Sequence, residues 1–136
     1  MNPTPYLIFT GNCREAVTAY ADIFGGEITM MMTGAEMPSM EVPDDKKDWI
    51  MHSMIAFDGG LLMASDDMMG TTPAMAGSWV MMEMPSAEAA KSAFNALSEG
   101  GEITMPYGPT EWADGFGMVT DRFGACWMIS APSQMP

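Results

Sequence analysis

The run Gly25-Gly26-Glu27-Ile28-Thr29-Met30 occurs again, letter for letter, as Gly100-Gly101-Glu102-Ile103-Thr104-Met105. Six identical letters in order are improbable in a chain of 136 residues. A repeated segment implies a repeated structural unit. In both copies a helix-like stretch comes first, the Gly pair stops it, and a β-prone run follows. Ala16, Tyr20 and Ile23 fall on Ala90, Phe94 and Leu97, whereas the Gly pair falls one residue later, so the second copy carries an insertion at its helix end.

The rest of the chain fits around these copies. Pro5 to Phe9 reads as a strand, broken by Gly11-Asn12. Asn12 is expected to cap a helix, with Glu15 completing a capping-box-like pair. Cys13, Ala16, Val17, Tyr20 and Phe24 then make one apolar stripe at helical spacing. Glu27 to Thr33 is the second strand. Gly34 to Lys47 reads as a flexible excursion because of its breakers and its Asp44-Asp45 pair. Trp49 to Phe57 is a long strand, turned at Asp58-Gly59 into a return strand from Gly60 to Ser65. A polar, Met-rich stretch follows and reads as a mobile linker. The second copy repeats the order, with a strand from Gly77 to Met84, Ser86 as helix cap, and the stripe Ala90, Ala93, Phe94 and Leu97. Strands at Glu102–Tyr107, Phe116–Thr120 and Ala125–Ser130 close it. The expected organisation is one α+β domain of paired βαβββ modules. Module one spans 1–66, the linker 67–76, module two 77–131 and a C-terminal tail 132–136. One helix covers only one face of each sheet. The pair is expected to form an open curved β-barrel or cleft, with the helices on the convex side.

Charge narrows the function. Eighteen acids against five bases give a net charge of −13. Nucleic acid binding needs clustered Lys and Arg, so it is not expected, and neither is an anionic membrane surface. The first residues lack a signal peptide's regions, and no apolar run is long enough to span a bilayer. Two cysteines far apart in sequence suggest no disulfide framework, and a cytoplasmic setting is the expectation.

These elements resemble the vicinal oxygen chelate superfamily, and more specifically its PhnB-like, glyoxalase/bleomycin-resistance branch. The likeness rests on Asn12-Cys13-Arg14-Glu15-Ala16 with Tyr20 and Phe24-Gly25-Gly26-Glu27, and on His52-Ser53. It extends through Asp58-Gly59-Gly60-Leu61-Leu62-Met63-Ala64-Ser65-Asp66 and Phe116–Gly124 into Trp127-Met128-Ile129. The resemblance implies a homodimer built on an internal duplication, and a cleft that holds metal in some members and drugs without metal in others. Mapped residue by residue, the ligand positions of metal-using members fall on Pro5, Trp79 or Val80, Leu62 or a neighbour, and Met128. None is His or carboxylate, and thioether alone is a poor ligand for a hard or borderline divalent ion. No cofactor is therefore expected, with a divalent metal as the alternative. The same branch carries a ubiquinone-type methyltransferase label. Neither βα junction, Thr10-Gly11-Asn12 or Met84-Pro85-Ser86, supplies the Gly-rich turn on which a nucleotide-like cofactor commonly sits.

Candidate site residues follow from strand parity. His52, the only histidine, should share a strand face with Met54 and Ala56, and Ser53, Ile55 and Phe57 the other. His52 could then hydrogen-bond a ligand or act as a base, although a lone His on a strand is more often structural. Tyr6, His52, Met54, Leu62, Met81, Met105, Tyr107, Trp112, Met118 and Met128 are the expected ligand-binding set, on an apolar, Met- and aromatic-rich cleft. Plain core packing is the competing reading for most of them. Trp112, in a turn between Glu111 and Asp114, suits a planar or cationic group. Cys126 is expected to point away from Met128 and to be packed rather than reactive. The expected function is a metal-free protein that binds an apolar or cationic small molecule. The alternative is a divergent metal-dependent lyase or dioxygenase using His52.

Overall fold

The computed structural model describes residues 1–39 and 41–132. Residue 40 of the excursion and residues 133–136 of the expected tail lie outside the described residues. The chain divides into two compact units, Met1–Pro73 and Ala74–Pro136. The first runs β1 (Tyr6–Phe9), α1 (Cys13–Phe24), β2 (Glu27–Thr33), β3 (Ile50–Phe57) and β4 (Gly60–Asp66). The second runs β5 (Val80–Glu83), α2 (Ala87–Ser98), β6 (Glu102–Gly108), β7 (Phe116–Thr120) and β8 (Cys126–Ser130). Each is a βαβββ unit with a four-stranded mixed sheet, in the orders β1-β4-β3-β2 and β5-β8-β7-β6. The first strand of each unit lies parallel to the last, and the other pairs are antiparallel. Neither sheet closes on itself.

The repeated Gly pair has the same two jobs in both units. Gly25 and Gly100 adopt φ of 69° and 72°, a conformation that side chains disfavour and that ends the helix. At the second position the need is space. A Cβ on Gly26 would stand 2.6 Å from the Phe57 ring, and one on Gly101 would collide with the Thr120 carbonyl oxygen. The inserted residue is Glu99, which takes the C-cap position of α2 where α1 has Gly25 itself.

The expected stripe of α2, Ala90, Ala93, Phe94 and Leu97, is buried throughout, and that of α1 is buried at Cys13, Ala16, Val17 and Tyr20 but half-buried at Phe24, the last residue of the helix. The first packs on Phe9, Ser53, Ile55, Leu62 and Ala64, and the second over Gly117, Val119, Trp127 and Ile129. Burying a side chain such as Val17 or Leu97 contributes roughly 1.5–3 kcal/mol.

The helix starts differ from one another. Ser86 caps α2 as expected, its Oγ accepting from Ala89 N–H at 3.1 Å. The Asn12 side chain makes no capping bond. Asp66 does that work from the end of β4: Oδ1 accepts from Gly11 N–H at 2.8 Å and Cys13 N–H at 3.0 Å, and Oδ2 from Ile50 N–H at 2.9 Å. A buried carboxylate receiving three backbone donors fills the role that a local side chain would otherwise take.

The intervening segments are organised by hydrogen bonds. The excursion contains two 3-10 turns, Gly34–Glu36 and Asp44–Lys46, with a Thr33–Glu36 capping box. Its base is tied by Gly34 N–H to the Trp49 carbonyl and Ala35 N–H to the Lys47 carbonyl, each at 3.0 Å. After β4, Asp67 accepts from the N–H groups of Met69, Thr71 and Thr72 and from the Thr72 hydroxyl, the last at 2.6 Å. These bonds, the Thr72 hydroxyl foremost, hold its carboxyl well below the usual carboxylate range.

Candidate functional site: the helix-free sheet faces

Strand register sorts every candidate onto a face. In the first sheet the partners run Tyr6–Met63–Met54–Met30 across all four strands. In the second they run Met81–Met128–Met118–Met105. Residues directly opposite share a face, so each row lies together on the side away from its helix. Met30 and Met105 are the last letters of the repeated hexapeptide, and the same register irregularity precedes each. Met54, Met63, Met118 and Met128 are half-buried, whereas Tyr6, Met30, Met81 and Met105 are exposed.

His52 shares this face with Met54, two residues along β3, and stands opposite Met32. Its Nδ1 lies 3.0 Å from the Tyr6 hydroxyl, with the two rings stacked at 5.7 Å. The hydroxyl therefore fixes the ring's orientation, and the other nitrogen, Nε2, is the atom with which His52 can meet a ligand. At the corresponding place on β7 stands Phe116, two residues before Met118. Trp112 is 41% exposed and meets the Phe116 ring edge-on at 5.5 Å, which puts its indole at the end of the second face.

Two candidates belong elsewhere. Leu62 pairs with Ile55 on the helix side and is 3% exposed, a core residue. Tyr107 donates to the Ala87 carbonyl of α2 at 2.9 Å and packs on Phe94. The irregularity between Met105 and Gly108 changes the side to which β6 directs its residues, so simple alternation fails there. Burial and the nearby Asp114 push the Tyr107 hydroxyl pKa up. Cys126 shares the face of Met128 instead of opposing it, because residues two apart on a strand point the same way. It is buried against Thr120. Cys13 lies under α1 beside Ser53, and burial pushes its thiol up to about 12, the pKa of an inert side chain. Met30, Met32, Met63 and Ser65 join the face without having been anticipated. For Met63 and Ser65 on β4 the Asp58-Gly59 turn, which pairs Phe57 with Gly60, is the available signal, since it makes Met54 face Met63; Met30 and Met32 have no such local signal.

The donor chemistry does not fit the divalent ion that metal-using superfamily members carry. Among the described residues no three His, Cys, Asp or Glu side chains gather into a set that would hold a metal. The buried carboxylates of Asp66 and Asp121 are occupied by N–H groups.

Two βαβββ units, each with a helix on one face of an open mixed sheet, define the vicinal oxygen chelate fold, here in its PhnB-like form. The chain belongs to the family whose model is described as 3-demethylubiquinone-9 3-methyltransferase, which matches residues 2–130. It is 33% identical to Protein YjdN of Escherichia coli strain K12, over 98% of this chain and 97% of that one. Among solved structures it is similar to protein PA1353 from Pseudomonas aeruginosa, with 41% identity, TM-score 0.86, and coverage of 96% and 97%. The PhnB protein from Bacillus cereus, a putative 3-demethylubiquinone-9 3-methyltransferase, shares the fold at TM-score 0.80 and 21% identity, with coverage of 97% and 100%. So does a glyoxylase/bleomycin resistance protein/dioxygenase domain from Frankia, at TM-score 0.70 and 9% identity, with coverage of 100% and 95%. No helix of the described residues is long and apolar enough to cross a membrane.

Proposed function

We infer that this protein binds a small apolar or cationic molecule without a resident metal, on the helix-free Met- and aromatic-lined faces of its sheets. The observation that carries the reading is the matched pair of rows, Tyr6–Met63–Met54–Met30 and Met81–Met128–Met118–Met105. Unbranched, polarizable thioethers line surfaces that adapt to a ligand's shape. Polar anchoring falls to the Tyr6–His52 pair, and stacking to Trp112. A net charge of −13 favours a cationic over an anionic ligand. Assembly with a second copy and residence in a reducing compartment, where Cys13 and Cys126 stay free, complete the proposal. Methyl transfer is left out of it, since the β1–α1 and β5–α2 turns contain a single glycine, Gly11.

A thermal-shift screen of metal-stripped protein against cationic aromatic compounds tests the reading, with hits confirmed by calorimetry. Binding that weakens about tenfold in Trp112→Ala or His52→Ala supports it. A broad library without a hit, or stoichiometric Zn, Fe, Ni or Mn in freshly purified protein, sinks it. Light scattering in solution tests the assembly.

A further inference from the structure

The two helix-free faces differ where the first carries Tyr6, Met32 and His52 and the second Met81, Gly108 and Phe116. On the first sheet, Met30 and Met32 of β2 stand opposite Met54 and His52 of β3. Directly opposed residues of an antiparallel pair hold their Cβ atoms about 4.5–5.5 Å apart. Alternate residues of a strand share a side, so the four make a two-by-two block of three thioethers and one imidazole. Met63 adjoins the block from β4. The second sheet repeats Met30 and Met54 as Met105 and Met118, but has Phe116 where the first has His52 and Gly108 where it has Met32.

We propose that Met30, Met32, His52 and Met54 form a binding site for a soft monovalent metal ion, copper(I). Thioether sulfur selects soft ions, and imidazole is a good copper ligand. The four donors are uncharged when His52 is neutral, so they offer little to a hard divalent ion. Methionine has three rotatable side-chain bonds, which lets sulfurs rooted on two strands converge on one centre. The Tyr6 hydroxyl oxygen lies 3.0 Å from Nδ1; in the tautomer where it accepts from Nδ1–H, as outer partners of ligating histidines do, Nε2 keeps its lone pair for the ion. The site shares Met30, His52 and Met54 with the face proposed above for an organic ligand, so the ion, when bound, competes with that ligand, and the two are read by separate titrations of the metal-free protein.

The test uses metal-stripped, full-length protein under anaerobic, reducing conditions. Silver(I), a redox-inert surrogate, is titrated and followed by native mass spectrometry and by the methionine methyl resonances. Copper(I) is titrated against a chromogenic copper(I) chelator. One ion per chain is expected, with the methyl signals of Met30, Met32 and Met54 shifting on binding. His52→Ala and Met54→Leu should each weaken binding at least tenfold, whereas Met69→Leu, at an exposed methionine off the face, should not change it. Met32→Leu, nearly equal in volume, provides the same reading if His52→Ala does not fold. Loss of all copper(I) to the chelator overturns the site. So do two equivalent ions per chain, binding that survives both His52→Ala and Met54→Leu, and equal weakening by Met69→Leu. An organic ligand found on the same metal-free protein would leave the functional reading intact whichever way the ion result falls.

Discussion

The two units share an element order and a sheet order, yet each begins its helix by different means. In the second unit the cap is local: Ser86 accepts from Ala89 three residues on. In the first, the Asn12 side chain makes no cap bond, and the acceptor is Asp66, 53 residues from Cys13 in sequence. One residue past the buried serines Ser65 and Ser130, the first unit has Asp66 and the second Ala131. The second unit's buried carboxylate sits instead in its last hairpin. There Asp121 Oδ1 accepts from Phe123 and Ala125 N–H, and Oδ2 from the Trp127 indole at 2.8 Å. The difference teaches that topology fixes which backbone donors need partners, and that a repeat is free to supply those partners from different places.

Substitutions sharpen this contrast. Asp66→Ala strips three backbone N–H groups of their acceptor and should cost about 3–5 kcal/mol in urea unfolding. A loss below that of Ser86→Ala would break the claim that the first helix depends on a remote cap. Asp121→Ala should cost about 2–3 kcal/mol, because part of its loop can recruit water. Ser86→Ala removes one exposed cap bond, about 1 kcal/mol, whereas Asn12→Ala should stay within about 0.5 kcal/mol. Equal effects of these last two would erase the contrast. The smallest expected effect concerns Asp67. Its folded pKa is depressed, so its contribution is complete above the unfolded carboxylate value and is lost as pH falls through the lower folded value. The Thr71 and Thr72 amide shifts should therefore hold steady through pH about 4 and move only below it. Movement at pH about 4 would show that Asp67 does not organise the turn.

Much of the fold was legible because the repeat, the Gly pairs and the helical stripes are local signals. Strand order was readable as βαβββ, and His52 with Met54 followed from alternation alone. What escaped depends on distant residues. Nothing near Asn12 announces that Asp66 will take its place. The Met105–Gly108 irregularity that carries Tyr107 to the helix side is not visible as a pattern in Met105-Pro106-Tyr107. The methionine rows needed the cross-strand register, which the Asp58-Gly59 turn encodes for Met63 but which β2 acquires only on pairing with β3. Leu62 was misplaced by one position of parity, the error to which strand reading is most exposed.

The remote cap also bears on the order in which the chain can assemble. As the polypeptide leaves the ribosome, the residues of α1 emerge well before Asp66, and β1 likewise waits for its partner β4. The first helix must remain uncommitted until some forty further residues have been made, because a contact spanning that length closes late. The second helix carries its own start signal within a single turn and has no such delay. Of the two units, the one made earlier is thus the slower to settle, and the later one supplies quick local structure.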